Sequence, residues 1–232
     1  MKKEIADKIL QETEAGYDLI SEKFSQTRKH FWRGLEFLKD YTHEQDNVLD
    51  FGCGNGRLLD LLDFENINYW GADVSQKLIE YAQGKHDSER VHFSKISPSQ
   101  DSLAFEAGFF NTIYSIAVFH HFPSKKYRED VAKELLRITK KDGYIIVTVW
   151  YLWQENYFKN ILTNWLDKIR GNSKLDWNDC LVSFTDNQGK RFQRFHHAFT
   201  KRELRKLFEK AGFEIEKCEV TGGRNIVLVA KK

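Results

Sequence analysis

The chain has 232 residues, a formal net charge of +2, 41% hydrophobic residues and 14% aromatics. That length suits one α/β domain carrying a modest insertion, and the apolar share is enough for a core. The near-balanced charge excludes a polycation, so any contact with nucleic acid must come from local clusters, while three widely spaced cysteines exclude a disulfide framework or a CxxC zinc site.

From the N-terminus, Tyr17, Ile20, Phe24, Arg28, Phe31, Trp32 and Leu35 recur at steps of three and four, which predicts a helical segment over 1–40. Short apolar runs then alternate with helical patterns. Residues 47–51 read as a first strand and 57–62 as the helix after it. Residues 69–73 read as a second strand, with Ser75 placed to cap a helix carrying Leu78, Ile79 and Ala82. Residues 91–96 and 112–118 give a third and a fourth strand, the latter nearly all apolar as a buried central strand should be. Tyr127, Val131, Leu135 and Ile138 form a helical stripe that Asp142 and Gly143 should end, and 144–149 give a fifth strand. This strand–helix rhythm implies a parallel sheet with helices on both faces. It breaks over 151–200, too long for an ordinary connection, so this stretch reads as a substrate-facing insertion or lid. Thr200 and Glu203 then form a capping box before a helix that stops at Gly212. Residues 213–220 and 225–230 flank a turn at 221–224, a hairpin signal. The chain therefore reads as a single unit over 1–232.

Gly52, Gly54 and Gly56 follow the first strand as GxGxG. Glycine there lets backbone approach a ligand closely, because it lacks Cβ and accepts positive φ. The dinucleotide fingerprint needs its third glycine at position 57, which is Arg57. Asp50 precedes the loop and Asp73 ends the second strand, 17 residues beyond Gly56 (73 − 56), a spacing suited to a carboxylate that accepts ribose hydroxyls. This pattern, with the C-terminal hairpin, resembles class I S-adenosylmethionine-dependent methyltransferases. The resemblance implies an α/β, Rossmann-like fold: a seven-stranded, mostly parallel sheet with an antiparallel C-terminal strand and helices on both faces. It implies S-adenosylmethionine as cofactor, held by Asp50, Gly52, Cys53, Gly54, Asn55, Gly56, Asp73, Val74 and Ala117. Many members also carry an acid at the end of the third strand. Here Ser97 or a backbone group stands in its place.

The end of the fourth strand bears on the acceptor. Methylation of exocyclic base amines uses an Asn/Asp-Pro-Pro-aromatic motif, and cytosine C5 methylation uses a Pro-Cys thiolate. Residues 115–121 carry neither, offering His120 and His121 instead, and neither Pro98 nor Pro123 precedes a cysteine. A carboxylate acceptor is already ionised at neutral pH and needs proximity, alignment and cationic donors rather than a base, so no general base is assigned. Residues 17–32, 115–121 with Arg128, Val149 with Trp150, and 194–199 before Glu203 and Leu204 resemble the tRNA wobble-uridine carboxymethyl methyltransferases. That resemblance implies esterification of 5-carboxymethyluridine in tRNA, with Arg28, His120, His121, Arg194 and His197 around the acceptor, and a small activator protein as in eukaryotic relatives. Basic clusters agree with an RNA partner: 190–206 around His196 and His197, Lys125 with Lys126 and Arg128, and Arg28 with Lys29 and Arg33. Each feature also has a plainer reading, as a strand-end turn, a helix stem over the core, or a solvated face. No spacing among His120, His121, His196 and His197 demands a metal, and none is assigned. A small-molecule carboxylate or phenol methyltransferase, and a silent cofactor- or tRNA-binding module, remain as alternatives. With no long apolar run to span a membrane and cysteines typical of a reducing compartment, the expected location is cytoplasmic.

Overall fold

The structure is a computed structural model describing residues 1–28, 34–62, 66–99, 101–189 and 191–232. The expectations for Lys29, Phe31, Trp32, Arg33 and Lys190 lie outside the described residues. Seven strands form one sheet: β1 (Asn47–Phe51), β2 (Asn68–Asp73), β3 (Val91–Lys95), β4 (Phe110–Ile116), β5 (Thr139–Trp150), β8 (Glu214–Thr221) and β9 (Asn225–Lys231). Their order is β3-β2-β1-β4-β5-β9-β8, the first five mutually parallel and β9 antiparallel between β5 and β8. The expected seven-stranded sheet with its antiparallel last strand is therefore present.

Strand periodicity sorts the side chains into two cores. Ile145, Val147 and Val149 of β5, with Ile226, Leu228 and Ala230 of β9, pack against helices α4 (Lys125–Ile138) and α6 (Lys201–Ala211). Ile146, Val227 and Val229 face the other way, toward Leu58 and Leu62 of α2 (Arg57–Leu62). Two caps match their sequence signals: Ser75 accepts from the Leu78 amide at 3.2 Å to start α3 (Gln76–Lys85), and Thr200 accepts from the Glu203 amide at 3.1 Å to start α6. The capping box is only half formed, because the Glu203 carboxylate turns to His197 instead.

Two expectations need correction. The first helix, α1 (Lys3–Thr27), ends before Arg28, so neither Arg28 nor Leu35 lies in it. A short 3-10 turn at Glu36–Tyr41 follows. Asp142 and Gly143 do not end α4, which stops at Ile138. They lie inside β5, where Asp142 has φ 62° and the β4–β5 register slips between Phe110 and Thr112. An Asp-Gly pair accepts positive φ in a strand bulge as readily as at a helix end.

The insertion holds α5 (Glu155–Ile169) and an antiparallel hairpin of β6 (Asp179–Thr185) and β7 (Arg191–His197), with a small core of Leu152, Ile161, Cys180, Val182 and Ala198. Its hairpin lies across α1: a Cβ on Gly16 would meet the Phe192 ring at 2.8 Å, and Lys23 Nζ donates to the Thr185 carbonyl at 2.6 Å. Helix α1 and the hairpin together roof the carboxyl ends of the central strands. Among the described residues, no helix is long and apolar enough to cross a membrane.

Candidate active site

Strand order reverses beside β1, whose neighbours are β2 and β4, and open α/β sheets bind ligands at such a switch point. Here a cavity opens beneath α1, lined by Asp50, Gly52 to Gly54, Asp73, Val74 and Leu78 on one side and by Ala117, Val118, His120, His121, Trp150 and Arg194 on the other. Gly52, Gly54 and Gly56 have φ of 82°, 56° and 75°. The need for glycine is sharpest at Gly52, where an added Cβ would stand 2.2 Å from Val118 Cγ2. Across the cavity Ala117 has φ 63°, held by its amide bonding to the Thr148 carbonyl at 2.9 Å and hydroxyl at 3.0 Å. Such backbone in a non-glycine residue clusters at ligand sites.

Asp73 accepts from the Gly54 and Ser75 amides at 2.9 Å each, fixing the loop to the end of β2. Burial raises its carboxyl, opposed by those amide bonds. A carboxylate has about four acceptor positions, so capacity remains for a hydroxyl facing the cavity. Asp50 accepts from the Tyr69 hydroxyl at 2.6 Å, and burial pushes its carboxyl up to about 7. Two acids, an apolar wall of Leu58, Val74 and Leu78, and the rings of Tyr17 and Phe24 fit a nucleoside carrying a sulfonium cation.

The opposite wall is built for negative charge. Arg194 is buried over the rings of Phe184 (4.7 Å) and Trp150 (5.6 Å), and its Nε has no acceptor among the described residues. Arg28 lies over Phe24 at 4.4 Å, and burial with the charge of Arg194 lowers its basicity while Tyr17 opposes. Arg28 and Arg194 therefore face one cavity, which Arg57 also lines.

Between them sit three buried histidines. The His120 and His196 rings stack at 5.0 Å, and the ring of His121 lies 4.3 and 4.7 Å from them. Their hydrogen bonds assign the tautomers. His121 Nδ1 donates to the Phe195 carbonyl at 3.0 Å, leaving Nε2 to accept from the Tyr17 hydroxyl at 2.7 Å. His196 Nδ1 donates to the Arg194 carbonyl at 3.1 Å. His120 Nδ1 accepts from the Trp150 amide at 3.3 Å, so its proton is on Nε2, an N–H with no described acceptor. Burial and Arg194 drive all three basicities down, with repulsion from neighbouring histidines added at His120 and His196, and His121 falls to about 3, which keeps the rings neutral. Their ligand atoms lie within 4.8 Å of one another, close enough for a metal. A ligating imidazole nitrogen must carry a lone pair, however, whereas His120 Nε2 carries a proton, and Arg194 adds positive charge. The arrangement suits an oxyanion better than a cation.

Of the sequence-derived candidates, the cavity brings together Arg28, Asp50, Gly52, Cys53, Gly54, Asp73, Val74, Ala117, His120, His121 and Arg194. Asn55 and Gly56 stand behind the loop: Asn55 Nδ2 donates to the Arg28 carbonyl at 3.4 Å, and Gly56 packs on His86 and Phe93. Two candidates are corrected. Ser97, two residues beyond the end of β3, is exposed, bonds to Ser99 at 3.2 Å and does not line the cavity. His197 faces away from the cavity, clamped by Asp179 at 2.7 Å and Glu203 at 2.8 Å. Burial raises the Glu203 carboxyl, but the bond from His197 and the charge of Arg128 hold it below its usual range. Thr13, Tyr17, Phe24, Arg57 and Trp150 line the cavity without having been assigned roles there. His196 went unassigned too, though a period of two along β7 puts it on the same side as Arg194 and puts His197 on the other.

The switch-point crevice, the glycine loop and the acid ending β2 define a class I, S-adenosylmethionine-dependent methyltransferase. The chain belongs to the methyltransferase domain family, which matches residues 24–217. It is 31% identical over 149 residues to a tRNA (carboxymethyluridine(34)-5-O)-methyltransferase of Arabidopsis thaliana, an overlap covering 64% of this chain and 34% of that one. The chain thus spans about a third of that relative's length. A Schizosaccharomyces pombe protein of the same name is 29% identical over 211 residues, 86% of this chain and 87% of that one. The fold is shared with a Methanosarcina mazei S-adenosylmethionine-dependent methyltransferase (TM-score 0.70, 22% identity, 88% and 98% covered). It is shared also with a Haloferax volcanii methyltransferase solved with the Trm112 activator (TM-score 0.63, 15% identity, 96% of each covered).

Proposed function

We propose that this chain methylates the carboxylate of 5-carboxymethyluridine at the wobble position of tRNA. The observation that carries the reading is the pair of buried N–H groups without acceptors among the described residues, Arg194 Nε and His120 Nε2, on a wall that also carries Arg28. Buried donors left unpaired are costly, so such a wall is built for an anionic ligand. Its described histidines are poor bases, because burial lowers their basicity and the lone pairs of His121 and His120 already accept from the Tyr17 hydroxyl and the Trp150 amide, and a carboxylate acceptor requires no base. The two relatives named above for this reaction support the choice of substrate.

In this reading Asp73 holds the ribose hydroxyls, Asp50 and the 52–56 loop hold the remainder of the cofactor, and S-adenosylmethionine supplies an electrophilic methyl group. Arg194 and His120 fix the acceptor carboxylate, while Arg28 serves that carboxylate or the cofactor's own. Tyr17 holds His121 in one tautomer, and α1 with the hairpin excludes water. The chain acts as a single domain in the cytoplasm, with the insertion over 151–200 facing the tRNA. It works beside a small activator protein, a partner supported by the Haloferax likeness.

The test is incubation with methyl-labelled S-adenosylmethionine and tRNA carrying the free carboxymethyl group, followed by nucleoside mass spectrometry. The expected product is the methyl ester of 5-carboxymethyluridine. If no ester forms with or without an activator protein while a small carboxylic acid or phenol is methylated, the small-molecule reading replaces this one. Cofactor binding without transfer to any acceptor would leave a silent module.

A further inference from the structure

Two basic clusters that are about seventy-five residues apart in sequence meet in one groove. The start of α4 brings Lys125 and Arg128, and α6 brings Arg202, Lys206 and Lys210. The acids within it are Glu129 and Glu203, so five cations face two anions (5 − 2 = +3). Those acids are engaged: Glu129 holds Lys210 at 2.9 Å, and Glu203 is taken by His197 at 2.8 Å and lies 4.0 Å from Arg128. Lys125 stands 3.8 Å from Glu129 and is 79% exposed, while Arg202 and Lys206 pair with no acid among the described residues.

We infer that this α4–α6 groove grips backbone phosphates of the tRNA, as a second contact region separate from the methyl-transfer cavity. The inference rests on the proposed function. Lys125 follows His121 by four residues, at most about 14 Å of chain. Phe199, on the groove wall, follows Arg194 by five. A nucleotide seated at His120 and Arg194 therefore has its flanking backbone within a few phosphates of the groove. Free lysine and arginine heads at that distance match repeated phosphate charges and carry no base preference, which suits an enzyme reading one nucleotide in its cavity. Arg128 is a different kind of residue. It is buried, donates to the Phe122 carbonyl at 2.9 Å and braces the groove floor rather than the ligand.

The test compares the wild-type chain with the triple variant Lys125→Glu/Arg202→Glu/Lys206→Glu, and with the neutral Lys125→Gln/Arg202→Gln/Lys206→Gln. The three positions are exposed, and an unchanged melting temperature and S-adenosylhomocysteine affinity identify folded protein. The tRNA KM should rise about tenfold or more in the charge-reversed variant and less in the neutral one. The slope of log affinity against log salt should fall by roughly 2–3, the loss expected for three phosphate contacts. Methylation of the free nucleoside 5-carboxymethyluridine, which has no backbone, should stay unchanged. Unaltered tRNA affinity and salt slope in folded variants overturn the groove while leaving the methyl-transfer reading intact, and point to a protein partner there. If wild-type chain makes no ester yet the variants lose tRNA binding, the groove stands and the proposed acceptor falls.

Discussion

Replacing Gly52 by alanine probes the loop where its geometry is tightest. Two penalties add. Gly52 has φ 82°, and a Cβ there would stand 2.2 Å from Val118 Cγ2. A left-handed conformation costs an alanine about 1–2 kcal/mol, and forcing a methyl into a filled contact costs about 1–3 kcal/mol. The sum is about 2–5 kcal/mol. The Gly52 amide also bonds to the Ala72 carbonyl at 2.7 Å, so backbone shifts that relieve the clash pull the loop off β2 and away from Asp73. Urea denaturation should report the stability loss, and calorimetry should report an S-adenosylhomocysteine Kd at least about tenfold weaker, or roughly 1.4 kcal/mol. Adding Val118→Ala removes the clash but not the backbone penalty. The double variant should therefore recover about 1–3 kcal/mol and stay about 1–2 kcal/mol below Val118→Ala alone. A Gly52→Ala protein within 0.5 kcal/mol of wild type (about the scatter of surface substitutions), binding cofactor normally, would refute the reasoning. So would a Val118→Ala change that rescues nothing.

Arg194→Met should lower kcat/KM for the carboxylate acceptor by about 10- to 150-fold, the worth of a charged hydrogen bond (about 1.5–3 kcal/mol), while S-adenosylhomocysteine affinity stays within about threefold. Equal losses in both would assign Arg194 to the cofactor instead. His197→Ala leaves the fully buried Asp179 carboxylate, among the described residues, with the Asp176 amide at 2.8 Å and the charge of Arg128, and should cost about 3–5 kcal/mol in urea denaturation. A change under 1 kcal/mol, the scale of a single ordinary hydrogen bond, would show the clamp to be incidental. The histidine cluster also gives a signed pH effect. The folded-state values of His120, His121 and His196 lie below the unfolded one, so the stability they carry is complete above about pH 6.5 and is lost as pH falls below it. From pH 7.5 to 5.5 each contributes a loss of about 1.4 kcal/mol, opposed by a gain of roughly 2 kcal/mol from Asp50, whose carboxyl is raised to about 7. His121→Asn should therefore lose about 1.4 kcal/mol less than wild type over that interval. An identical pH slope in the two proteins would mean that His121 is not buried neutral.

Features fixed by neighbours along the chain were legible in the sequence. The glycine loop, the acid ending β2, the caps at Ser75 and Thr200 and the terminal hairpin each depend on a few adjacent residues whose φ or hydrogen-bonding capacity admits little else. Asp142 and Gly143 marked a turn without saying whether it ended a helix or bulged a strand, since both need positive φ. The acceptor wall was only half legible. Tyr17 reaches His121 across 104 residues, and Phe195 reaches it across 74, contacts that exist only once α1 and the β6–β7 hairpin close over the sheet. The sequence pointed to His197 rather than His196 at the acceptor, yet on β7 they point to opposite faces, His196 joining His120 and His197 clamped by Asp179 and Glu203. The sequence determined that a nucleoside-binding loop and a pair of candidate histidines were present. Only tertiary structure decided which faces of α1 and β7 look into the cavity, because that depends on strand register and helix rotation, set by packing between elements far apart in the chain.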